Sequence, residues 1–170
     1  GEHPTTWGAA IEWFTSPRRL TFYVLLRVQR AVVLPFVELF AIILVKRIVI
    51  GRFVAGPRTR WSHLQFWLMR ELLPDGRLCG VPALIGNHWG GVALLMRLLG
   101  AKCGKRIFWP GSGVDVVEYD LLTIEDDVVF GSRSVIACST AEVSRPVALL
   151  RGANVADRCY VLPGVTLGVN

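Results

Sequence analysis

Residues 123–136 read TIEDDVVFGSRSVI, with apolar Ile124, Phe130 and Ile136 spaced six apart. An amphipathic helix places apolar residues at i, i+3, i+4 and i+7, and a half-buried strand alternates every two, so neither alone makes this spacing. Six is a multiple of two. Ile124, Val128, Phe130, Ser134 and Ile136 can therefore face one way, strand-like, while Glu125, Asp126, Asp127 and Arg133 face the other and the chain turns a corner between hexads. Such a unit is too small to bury its own apolar face and must stack on its neighbours, which predicts a parallel β-helix.

The period persists downstream, with hexads beginning at Val143, Leu149, Val155, Val161 and Leu167. Their fifth positions, Val147, Ala153, Cys159 and Val165, are small or β-branched and suit a narrow interior. Upstream, residues 103–109 fit the same template, residues 110–117 break it, and residues 118–123 rejoin with Leu122 inward. An antiparallel sandwich is the competing reading. It is disfavoured because Asn-Gly and Asp-Gly, the strong hairpin signals, are missing from residues 100–170. The last hexad stops at Asn170, where a solenoid ordinarily ends in an atypical capping repeat, so the expectation is a piece of a longer chain.

The first part of the chain is of another kind. The composition is 52% hydrophobic with a net charge of +6, and residues 31–45, AVVLPFVELFAIILV, carry one charge, Glu38. As a helix they would extend about 22 Å, against roughly 30 Å of bilayer hydrocarbon. Extension back through residues 20–30 brings in Arg27 and Arg30, tolerable near an interface where they snorkel. Lys46, Arg47, Arg52, Arg58 and Arg60 follow and favour the anionic cytoplasmic leaflet. Trp61, Leu64, Trp67, Leu68, Met69 and Leu72 then make a one-sided aromatic helix suited to the headgroup plane. A buried helical hairpin packed on the β-helix is the alternative. Nucleic-acid binding is not expected, since tryptophans and aliphatic runs surround the cations and no nucleic-acid motif accompanies them.

Three segments result: residues 1–75, apolar and amphipathic helices associated with a membrane; residues 76–102, a turn and short helix; and residues 103–170, the hexad repeats. The four cysteines, at 79, 103, 138 and 159, form no C-x-x-C pair, so neither a zinc site nor a disulfide framework is expected. Reduced thiols facing the cytoplasm are the expectation.

The repeats resemble the hexapeptide acyltransferase superfamily, a resemblance that implies a mainly β, left-handed parallel β-helix preceded by membrane-spanning or interfacial helices, and the homotrimer of that group. There a histidine acts as general base, taking the proton of an acceptor that attacks a thioester. Here the three histidines, His3, His63 and His88, all lie outside the repeats. His88, in GNHWGG, is the candidate catalytic base, because its loop precedes the first hexad and its glycines allow close approach. An interfacial or capping histidine is the competing reading. Glu118 and Asp120, in the break GSGVDVVEYD, are candidates for holding a cationic amine, with solvated corner charges as the alternative.

A narrower resemblance rests on the order of GRFVAGP, GVPALIG, LLGAKCG and DLLTIEDDVVFG. That set is similar to the membrane-bound C-terminal region of the poly-ε-lysine synthetase family of nonribosomal peptide synthetases. The resemblance implies adenylation and carrier domains in the same polypeptide, and amide formation from an acyl or aminoacyl thioester held on a phosphopantetheine carrier or coenzyme A, with no cofactor bound directly. Glu125 stands where such repeats usually carry glycine, and WPGSGVDVVEYD is this chain's own connecting loop. The alternative function is a non-catalytic module that spaces or oligomerises neighbouring domains.

Overall fold

The computed structural model describes residues 6–73 and 89–168. His3, His88 and Cys79 lie outside the described residues. The chain divides into two compact units, Gly1–Leu39 and Phe40–Asn170.

Five α-helices are described: α1 (Thr6–Thr15), α2 (Pro17–Val28), α3 (Leu34–Val45), α4 (Arg60–Leu72) and α5 (Trp89–Leu99). Pro17 starts α2 where its missing N–H is harmless. Gln29–Val33 and Lys46–Ile50 are π-helical turns. Thr59 caps α4 in a reciprocal capping box, its Oγ1 accepting from the Ser62 N–H at 3.2 Å while the Ser62 Oγ accepts from the Thr59 N–H at 2.8 Å. Gly100, with φ +122°, ends α5, and the Ala101 N–H bonds back to the Met96 carbonyl at 2.9 Å.

The strands are β1 (Gly56–Pro57), β2 (Lys102–Cys103), β3 (Asp115–Val116), β4 (Leu122–Ile124), β5 (Val129–Phe130), β6 (Val135–Ile136), β7 (Val143–Ser144), β8 (Val147–Leu149), β9 (Asn154–Val155), β10 (Tyr160–Val161) and β11 (Thr166–Leu167). Three sheets are parallel, ordered β11-β8-β4-β2, β10-β6-β3 and β5-β9; β1 and β7 form an antiparallel pair. Leu122 pairs with Val147, Val129 with Asn154 and Val135 with Tyr160, so in each case the chain returns to its own neighbour 25 residues on.

The six-residue spacing marks interior positions: Ile124, Phe130, Ile136, Leu149, Val155 and Val161 are all buried. Around them Ile107, Trp109, Val116, Tyr119 and Leu122 join one core with Ile50, Phe53 and Met69. Trp109 stacks on Phe130 with ring centroids 5.1 Å apart. Gly131 is needed where adjacent passes touch, because a Cβ there would meet the backbone of Ala156 and Asp157.

The expected fold class, a mainly β, left-handed parallel β-helix preceded by membrane-spanning or interfacial helices, is corrected. Of the described residues 47% are helical and 18% are strand. The strands are two or three residues long and lie in four small sheets, one of them antiparallel. The physical reason is that each hexad turns a corner after a brief extended stretch, so little backbone enters a ladder. Residues 9–50, which contain no glycine, meanwhile propagate helix. Nor is any helix long and apolar enough to cross a membrane among the described residues. The helical backbone runs on through the π-helical turn Gln29–Val33 that joins α2 to α3, but Arg27, Arg30, Lys46 and Arg47 interrupt the hydropathy of the run.

Candidate functional site

Glu118 immediately precedes the one-turn 3₁₀ segment Tyr119–Leu121, Asp120 lies within it, and the two acids are turned to different partners. The Asp120 carboxylate forms a salt bridge with Lys46, which is 1% exposed, and accepts the Phe53 N–H at 3.0 Å. Burial depresses the Lys46 ammonium despite that partner, because desolvation outweighs the attraction. Glu118, 3% exposed, accepts from the Ser139 hydroxyl and the Cys138 N–H and lies beside Arg58. Its carboxyl is nonetheless held above the usual range, with burial the largest cause. Arg58 itself bonds to the Ser139 Oγ at 3.0 Å and the Thr140 carbonyl at 3.2 Å, with its guanidinium 5.0 Å from the Phe66 ring centroid. These two acids tie the segment between Lys46 and α4 to the parallel sheets.

Burial pushes the Cys138 thiol up to about 12, with Glu118 adding to the shift. The Cys103 thiol is likewise raised to about 12. Neither is a ready nucleophile at neutral pH. His63 is exposed on α4. No group of three His, Cys, Asp or Glu that could hold a metal occurs among the described residues.

A cleft of about 540 Å³ opens beside β2 and β4, with the cations Arg97, Lys102 and Arg151 facing Thr123, Glu125 and Asp126. Arg97, from the last turn of α5, donates to the carbonyls of Cys103 at 2.9 Å and Gly104 at 2.6 Å, which fixes α5 against β2. Asp126 accepts the Lys105 N–H at 2.7 Å, and Glu125 accepts the Arg151 N–H at 2.9 Å. Gly104 keeps the floor tight: a Cβ there would lie 2.6 Å from the Glu125 carbonyl carbon. Lys102 is exposed and makes no salt bridge among the described residues, so it is the cation left available to a ligand. The cleft size falls within the usual span of small-ligand sites.

Sequence reasoning missed both Lys46 as the partner of Asp120 and the convergence of Arg97, Lys102 and Arg151. Lys46 stood inside a basic cluster, and the cleft residues come from three passes of the chain with no local motif. Comparison with protein-family models, with curated proteins and with solved structures finds nothing that matches this chain.

Proposed function

We propose that the chain is part of a membrane-associated acyl or aminoacyl transferase of nonribosomal-peptide-synthetase type that forms amide bonds from carrier-bound thioesters. The observation that carries this reading is the cationic cleft beside β2. It is open, and its unpaired Lys102 suits the phosphate of a phosphopantetheine arm. In the reaction an acceptor amine attacks the thioester carbonyl, a C–N bond forms, the C–S bond breaks and the thiol leaves. A base takes the amine proton, a role for which His88 is the candidate within this chain because its loop precedes the first hexad.

The test uses the full-length enzyme with an aminoacyl-loaded carrier. Lys102→Glu raises the KM for the loaded carrier about tenfold with kcat little changed. His88→Gln lowers amide formation by about a hundredfold or more. Unchanged kinetics in both variants would sink the reading.

Membrane association is the second part of the proposal. Trp7, Ile11, Trp13 and Phe14 on α1 and Phe22 and Leu25 on α2 are each more than half exposed, and Arg18, Arg19 and Arg27 lie on α2 with Arg30 in the π-helical turn that follows it. Exposed aromatics interleaved with cations complement an anionic lipid surface.

A non-catalytic spacing or oligomerising module is the second reading. It is favoured by Glu118 and Asp120 both being engaged in internal ties rather than aimed into the cleft. Full amide-forming activity in a parent enzyme carrying His88→Gln would favour it.

A further inference from the structure

Two columns of left-handed corners run along the parallel sheets. Phe108 pairs with Val129 and Val129 with Asn154, which puts Arg106, Asp127 and Gly152 in one register. Asp115 pairs with Val135 and Val135 with Tyr160, which puts Gly113, Arg133 and Arg158 in another. All six have φ between +54° and +72°. Glycine, asparagine or aspartate ordinarily serves such corners, and an arginine there is strained by its Cβ.

The first column answers its charge internally. Arg106 and Asp127 stand directly over one another and bond bidentately at 2.5 and 2.7 Å. The second does not. Arg133 and Arg158 are like charges in adjacent passes, an arrangement that destabilises neighbouring strands, and neither forms a salt bridge among the described residues. Asp157, next in sequence, has its Oδ1 engaged by the Ser132 N–H at 2.6 Å. The backbone around the pair is tied down: the Arg158 N–H donates to the Ser132 carbonyl at 2.8 Å, and the Arg133 N–H to the Ser112 Oγ at 2.9 Å. These residues line a cleft of about 440 Å³.

The two left-handed corners are held by their backbone hydrogen bonds, while the two positive charges they carry in adjacent passes are answered by no salt bridge among the described residues. A strained residue held in place by its surroundings is a pointer to a ligand. We propose that the corner carrying Arg133 and Arg158 binds a phosphate group. Two planar guanidinium groups match the oxygens of a dianion, and two cations against one aspartate leave the cleft net positive. The site is separate from the cleft beside β2 and does not depend on the transferase reading.

The test compares the full chain with Arg133→Asn/Arg158→Asn, since asparagine tolerates the left-handed backbone and removes both charges. One arm titrates inorganic phosphate by calorimetry at low salt; the other measures flotation on phosphatidylglycerol vesicles against phosphatidylcholine vesicles. Phosphate binding that weakens at least about tenfold in the double variant, with phosphate raising the melting temperature of the parent alone, supports a soluble phosphate ligand. A tenfold loss confined to anionic vesicles supports a lipid headgroup as the source. Equal behaviour of parent and variant in both arms overturns the proposal. So does a double variant that melts well below the parent while phosphate neither binds nor stabilises the parent, because the arginines would then serve the fold. Arg133→Gly/Arg158→Gly, which relaxes the corners outright, repeats the comparison in a second background.

Discussion

Lys46 and Asp120 lie 74 residues apart in sequence and meet at a site where the lysine is 1% and the aspartate 13% exposed. Removing one partner of such a pair leaves an uncompensated buried charge. Asp120→Ala should therefore lower the unfolding free energy by about 3 to 5 kcal/mol, whereas Lys46→Met/Asp120→Leu should recover much of that loss. Denaturant titration of the three proteins checks it, and a single-variant loss under about 1 kcal/mol would contradict the assignment. Gly100 belongs to the same site, since a Cβ there would fall 2.8 Å from the Asp120 Cγ. Glu118 makes a different prediction. Its folded-state carboxyl titrates above its unfolded value, so the stability it contributes is fully present below the unfolded value and is lost as pH rises through the folded one. Glu118→Gln lacks that dependence. The melting temperature of the variant relative to the parent should thus rise as pH rises from the ordinary carboxylate range upward; a flat or falling difference would refute the burial argument.

At the scale of elements, what was legible was what the local period encodes. Ile124, Phe130 and Ile136 are interior because alternation within a hexad and a corner between hexads are both written in adjacent residues. The amount of strand was not legible, because a hexad pattern fixes which side chains point inward but not how many backbone groups reach a ladder partner. The π-helical turns at Gln29–Val33 and Lys46–Ile50 were also invisible, since nothing in QRAVV or KRIVI distinguishes them from ordinary helix. The candidate site was less legible than the fold. Glu118 and Asp120 were singled out as amine-binding acids, yet their partners Arg58, Ser139 and Lys46 come from distant segments that no spacing rule connects. The capping box of α4 is a local device, and its effect is correspondingly local. Thr59→Ala should cost about 1 kcal/mol of stability by leaving the Ser62 N–H without its acceptor. Chemical denaturation reads this directly, and a neutral result would show that water replaces the cap.

For the chain as a whole, the two units differ in how their helices and strands are held. In Phe40–Asn170, Leu99, Ile107, Val128, Val147 and Leu149 are completely buried in one core. In Gly1–Leu39 no described side chain is buried, and Phe22, Leu25 and Trp7 stand exposed at 61%, 62% and 79%. Helices in proteins ordinarily take most of their stability from a packed apolar face rather than from propensity, and none of the helices of this unit buries a described side chain. Under the proposed membrane association a lipid surface would provide that face, each apolar side chain it covers contributing roughly 1.5 to 3 kcal/mol on full burial. Amide hydrogen exchange on the full chain in buffer should then show fast exchange through residues 6–39 and slow exchange at Phe130, Val135, Ala148 and Leu150, whose N–H groups bond to carbonyls of neighbouring passes. Anionic vesicles should slow residues 6–39 and leave the four protected amides unchanged, whereas neutral vesicles should slow them less, since Arg18, Arg19, Arg27 and Arg30 supply the electrostatic part of the attraction. Slow exchange of residues 6–39 without lipid would mean that a protein surface covers these side chains instead, and membrane association would lose its main support.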